Sequence, residues 1–136
     1  MKSLPESDDA LVIRTDYSNQ AAWESLRAAI RAPVRGFQAY VRFVDDVAYD
    51  GVTTAQLIEL LRDSKYSYVM VADATTLSHP DRPVLVLNLY PEAGAHFRAI
   101  PSQIQSVENN LSIANMDFEE FVESVDEDGI FRGFPD

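Results

Sequence analysis

Three apolar runs most constrain what this chain folds into: "ALVIRTD" at residues 10–16, "SYVMVADA" at 67–74 and "RPVLVLNLY" at 82–90. Each reads as a strand, and the last, nearly all apolar after Pro83, belongs in the interior of a sheet. Helical patterns separate the earlier runs. Ser18 is placed to cap a helix whose Ala22, Trp23, Leu26, Ala29 and Ile30 share one face, with Pro33 and Gly36 ending it. "FQAYVRFVDD" (37–46) then alternates Phe37, Ala39, Val41 and Phe43 against polar neighbours, the pattern of a strand with one wet face. Gly51 marks a turn, and Thr53 with Gln56 three residues later forms a capping box for a helix that buries Leu57, Ile58, Leu60 and Leu61.

"TTLSHPDR" (75–82) reads as a loop, long for a hairpin, and Gly94 permits a turn into a short strand, "HFRAI". The order is strand, helix, strand, helix, strand, strand, strand, followed by two C-terminal helices. Alternation at the start implies parallel strands joined by right-handed crossovers, and the later hairpins add antiparallel strands. The fold class is therefore α/β, a single domain over 10–136 with a mixed, partly parallel sheet. Its first half fits a thioredoxin-like or a flavodoxin-like order alike. Residues 1–9, "MKSLPESDD", read as a disordered lead-in rather than a secretory signal, because no apolar stretch follows the charge.

The C-terminal third decodes mostly as helix punctuation. Ser102 and Gln105 have capping-box spacing, and Asn109 or Asn110 suits the left-handed residue that closes a helix. Asp117 and Glu120 repeat the capping pattern, while Met116 and Phe121 are spaced as a hydrophobic staple. Phe118, Phe121, Val122 and Val125 form an apolar face. Two features are left over. Asp126, Glu127 and Asp128 fall where negative charge opposes a helix dipole, and Ile130, Phe131 and Phe134 follow in a tail with little chain left to cover them.

Charge narrows the partners. The net charge is −11, and residues 102–136 hold nine carboxylates against one arginine, whereas the first 101 residues carry thirteen acidic and ten basic groups. That balance argues against nucleic acid and against an anionic membrane, and it suits a basic protein or a cation. No apolar run approaches the roughly 18 residues a membrane span needs. A cysteine count of 0 excludes disulfides, thiolate catalysis and cysteine zinc sites, and a cytoplasmic location is the default.

Catalytic signatures are thin. Asp16, Asp45, Asp46 and Asp73 each end a strand, so parallel strands would gather them at the edge where open α/β sheets bind ligands. With Thr75 and Thr76 nearby, such carboxylates are a candidate magnesium site, and no other cofactor is expected. Asp at strand-to-helix turns equally serves as a cap for local amides, and no glycine-rich phosphate loop accompanies these four. "DEDG" fails as a calcium loop, because an EF-hand register puts Pro135 where a bidentate Glu is required. His79 and His96 have no acid or nucleophile arrangement close in sequence. Arg14, Arg42 and Arg98 suit solvation or pairing with nearby Asp.

The stretches "VIRTDYSNQAAWESLRAAI", "FVDDVAYDGVT", "PVLVLNLY" and above all "SVENNLSIANMDFEEFVESVDEDGIFRGF" resemble a family of small, uncharacterised bacterial proteins, chiefly actinobacterial, a domain of unknown function. The resemblance covers almost the whole chain and implies a single-domain protein with no catalytic residues to carry over. The function expected from the residues is non-enzymatic protein binding through the acidic C-terminal helix and tail, from Phe118 to Phe134, with Asp126, Glu127, Asp128, Ile130, Phe131 and Phe134 as the named contacts for a basic partner. An immunity- or antitoxin-like role is one concrete version. The alternative is a metal-dependent enzyme or phosphate binder built on Asp16, Asp45, Asp46 and Asp73.

Overall fold

The computed structural model of the protein describes residues 2–134; Met1, Pro135 and Asp136, at the ends of the expected ranges, lie outside the described residues. Strands β1 (Ala10–Arg14), β2 (Val41–Val44), β3 (Tyr68–Ala72), β4 (Val84–Asn88), β5 (His96–Ala99) and β6 (Ile130–Phe131) make one sheet in the order β2-β1-β3-β4-β5-β6. β1 runs parallel to β2 and β3, with Val12 opposite Phe43 on one side and Met70 on the other. β4 is antiparallel to both neighbours, and β6 runs parallel to β5. The mixed α/β sheet is thus as the sequence implies. Its first three strands take the flavodoxin-like 2-1-3 order, since a helical crossover returns β3 parallel to β1.

Helices cover both sides, which is why β1, β3 and β4 are apolar on both faces. Helices α1 (Gln20–Arg31), α3 (Ala74–Ser78), α4 (Ile104–Ser112) and α5 (Phe118–Val122) pack Trp23, Leu26, Leu77, Ile104, Val107 and Phe121 over one face. Helix α2 (Thr54–Leu60) brings Leu57 to the other, against Leu11, Ile13, Val69 and Val71. Among the described residues no helix is long and apolar enough to cross a membrane.

The local signals fare unevenly. The Thr53–Gln56 capping box forms, with the Thr53 amide donating to Gln56 Oε1 at 2.9 Å and the Gln56 amide to Thr53 Oγ1 at 3.2 Å. Asn19, not Ser18, caps α1. Residues 75–82 are not all loop: Asp73 and Thr76 form a capping box that starts α3. The strand expected from Phe37 begins only at Val41, because Arg35 and Gly36 both take positive φ in a tight turn bridging Val34 and Phe37. Phe37 and Tyr40 are left exposed.

The asparagine pair does not close α4. Asn110 Nδ2 donates to the Ser106 carbonyl one turn back, the helix runs on to Ser112, and Ala114 takes the left-handed conformation instead. Ser102 caps nothing, as a 3-10 turn over Pro101–Gln103 leads directly into α4. Where a disordered lead-in is expected, residues 2–9 make contacts with the domain. Leu4 joins the core under α2, and tyrosine hydroxyls hold the segment's backbone: Tyr49 donates to the Ser3 carbonyl at 2.7 Å and Tyr66 accepts from the Ser7 amide at 2.7 Å.

Candidate functional site

The ends of the parallel strands do place Asp16, Asp45, Asp46 and Asp73 along one sheet edge, and each carboxylate there has its own donor. Asp16 accepts from the Ser18 hydroxyl at 2.7 Å. Asp45 accepts from Trp23 Nε1 at 3.1 Å and from Arg14 Nη1 at 3.3 Å. Asp46 pairs with Lys2 and caps a 3-10 turn through the Ala48 amide. Asp73 caps α3 and takes a two-pronged contact from Arg98, at 2.7 and 3.0 Å. Thr76, which the magnesium reading uses, is buried and donates to the Pro83 carbonyl. Among the described residues no group of three or more His, Asp or Glu is placed to hold a metal ion.

Arg14 organises the β1 end of this edge. It is only 2% exposed, and its guanidinium lies 4.1 Å from the Tyr17 ring centroid and 5.3 Å from that of Trp23. Nε donates to the Asp16 carbonyl and Nη1 to Gln20 Oε1. Stacking between two rings shields a cation that burial would otherwise penalise, and Asp45 supplies the countercharge. Tyr17 shares the enclosure: burial first, then the Asp45 carboxylate, pushes its phenol up to about 12. At Asp73 burial raises the carboxyl pKa, but the Arg98 hydrogen bonds and the Thr76 amide outweigh it and hold the group below its ordinary value.

Each histidine ring has a local backbone partner. His79 Nδ1 accepts from the Asp81 amide at 3.0 Å. His96 lies on β5, exposed, with its Nδ1 3.0 Å from the Gly94 carbonyl oxygen. It shares a cleft of about 320 Å³ with Thr54, Asp73 and Arg98, where Arg98 is already committed to Asp73.

The acidic tail divides into two parts. Ile130 and Phe131 form the edge strand β6 and are 3% and 0% exposed, so these two expected partner contacts are core side chains instead. Phe131 stands 5.2 Å from Phe121 and 6.4 Å from Phe97, and Phe121 stacks on Phe97 at 5.4 Å. Phe134 lies over this cluster, 4.8 Å from Phe131, and is 39% exposed. Asp126 and Asp128 both hold Arg132, which also reaches Asp81 at 3.0 Å. Their hydrogen bonds push the Arg132 pKa up, and Arg132 holds Asp128 below the usual carboxylate range.

What the tail presents outward is charge. Glu119, Glu120 and Glu123 on or beside α5, and Glu127 beyond it, are exposed and make no ion pair among the described residues. Beside them Asn88, Pro91, Glu92, Asp117, Phe118 and Glu119 line a groove of about 190 Å³, acidic at the rim with an aromatic wall. Sequence reasoning missed Arg132: its link to Asp81, fifty-one residues away, was not readable, although Asp128 and Asp126 lie only four and six residues before it. The acidic C-terminal helix was part of the expected contact surface, but Glu119 and Glu123 were not singled out on it, although their offset from Phe118, Phe121 and Val122 was readable. No curated protein matches the chain. A family model matches residues 9–134, and the chain belongs to that family, a domain of unknown function (DUF6924).

Proposed function

We propose that this chain is a non-enzymatic protein-binding module whose acidic α5 face, together with the turn at 126–129 and Phe134, meets a basic partner protein. The observation that carries it is the row of exposed carboxylates at Glu119, Glu123 and Glu127, which have no ion-pair partner among the described residues. The same C-terminal segment carries exposed Phe134 and half-buried Phe118, a pairing of steering charge with aromatic anchor suited to protein contacts. An immunity- or antitoxin-like role, covering the cationic site of another protein in a bacterial cytoplasm, is the concrete form of this reading. The contact draws on charge and aromatic surface alone.

The test is affinity capture from host lysate with the tagged wild type and a Glu119→Lys/Glu123→Lys variant, both checked for equal melting temperature. A basic protein should be retained by the wild type, released by about 0.5 M salt, and lost with the variant. Equal capture by both proteins would reject the acidic face as the contact.

A further inference from the structure

The sheet has two edges, and they carry opposite charge. Residues 27–42 hold four arginines (Arg27, Arg31, Arg35 and Arg42) and no acidic residue, in a chain whose net charge is −11. All four belong to the end of α1, the following turn, or the edge strand β2. None makes an ion pair among the described residues. Instead three of them meet rings or backbone. Arg27 lies over Trp23 at 5.7 Å, Arg31 over Phe43 at 4.9 Å, and Arg42 reaches the Glu6 carbonyl at 3.5 Å. Phe37 and Tyr40, 65% and 69% exposed, flank them. Of the carboxylates near this edge, Glu24 bonds Gln20 and the buried Glu108 of α4 accepts from the Tyr40 amide at 2.7 Å. At the opposite edge, residues 117–128 hold seven carboxylates and no basic residue, packed beside β6.

We infer that the arginine-aromatic β2 edge of one copy receives the acidic α5–β6 edge of a second copy, so that the chain associates with itself head to tail. The inference rests on the reading of the acidic face as a contact surface and names the arginine edge of a second copy as the basic surface it meets. Charge complementarity selects this occupant: the arginines of one edge and Glu119, Glu123 and Glu127 of the other make no ion pair among the described residues, and both edges expose aromatic surface. Because the edges lie at opposite ends of one sheet, they cannot meet within a molecule. A contact between unlike surfaces does not close on a two-fold axis, so it extends into a chain or a ring. A nucleic acid on the arginines is the competing occupant; like a second copy it would meet a net charge of −11, and the oligonucleotide arm of the test separates the two.

The experiment uses sedimentation velocity on the whole chain across concentration, at low and high salt. The wild type should grow beyond dimer as concentration rises, and raising salt from about 0.05 to 0.5 M should weaken association about tenfold or more. Two neutralised variants, Arg31→Gln/Arg35→Gln and Glu119→Gln/Glu123→Gln, should each be monomeric while melting like the wild type. Mixed together they retain one intact pair of edges and should form a dimer that grows no further. A wild type that stays monomeric in low salt overturns the proposal, as do variants that still dimerise alone. A duplex oligonucleotide that binds the wild type but not the arginine variant, with no self-association, also overturns it. If the wild type is monomeric yet Glu119→Lys/Glu123→Lys still loses a captured lysate protein, self-association alone fails and the protein-binding reading stands.

Discussion

Phe121→Ala tests whether the tail is docked. The ring is fully buried and meets three others: Phe97 at 5.4 Å, Phe131 at 5.2 Å and Phe134 at 5.4 Å. Removing a buried phenyl costs about 3–5 kcal/mol through lost transfer energy and the cavity left behind. The lost ring contacts push toward the upper part of that range. Phe134 lies at the surface and is able to settle into the gap, which pulls back, so about 3–4 kcal/mol is expected. Against a domain stability of roughly 5–15 kcal/mol the variant still folds, with a melting temperature lower by about 10–15 °C. Urea unfolding measures the loss, and hydrogen exchange locates it. The Ile100 amide donates to the Phe131 carbonyl and the Arg98 amide to the Gly129 carbonyl, so both should exchange faster in the variant. Phe121→Leu, which fills most of the space, should cost about 1–1.5 kcal/mol. A loss below about 1 kcal/mol for Phe121→Ala, with Ile100 protection unchanged, would show that the tail is not held by this cluster. Ile130 and Phe131 would then be free for a partner after all.

Two further outcomes follow from single residues. Asp73→Asn should destabilise the protein by about 1–2 kcal/mol at pH 7, since the folded carboxylate has a lowered pKa and its contribution is present above the unfolded value of about 4. That contribution disappears as pH falls through the lowered folded pKa, so urea midpoints of wild type and variant should converge as pH is taken below the unfolded value, and a constant gap would exclude the Arg98–Asp73 pair as its source. Ala114→Gly should stabilise by about 0.5–1 kcal/mol, because Ala114 sits at φ 54 where a Cβ is strained; an unchanged or lower melting temperature would contradict this.

What was legible in the sequence tracks how local its cause is. β1, β3 and β4 were readable because strands covered on both faces leave unbroken apolar runs, and the Thr53–Gln56 box because both halves lie within one helical turn. Tertiary partners were not readable. Ala39 is buried while Phe37 and Tyr40 are exposed, since a turn with Arg35 and Gly36 at positive φ aims the chain away from the sheet. Asn110 looked like a helix terminator, but its amide returns to Ser106 and the helix continues. The four strand-end aspartates were placed on the right edge, yet Lys2, Arg14 and Arg98 come to them from elsewhere in the chain. Alternation of charge and apolar residues says where carboxylates lie, not which cation arrives.

The tail shows why core and surface roles need not compete for one segment. In β6, Ile130 pairs in register with Arg98 and Phe131 with Ala99, so the short strand sends successive side chains to opposite faces of the sheet. Phe131 anchors the segment in the aromatic cluster, and Arg132 then fastens Asp126, Asp128 and Asp81 around the preceding turn. Such clamping leaves Glu127 and the α5 carboxylates on a backbone that is already ordered. Association through an ordered surface gives up less conformational freedom than association through a loose tail, so the same few charges yield tighter binding. Arg132→Gln should therefore weaken partner binding although Arg132, itself a cation, adds no attraction for a basic surface. An effect of the opposite sign would mean that its charge, rather than its hold on the turn, dominates.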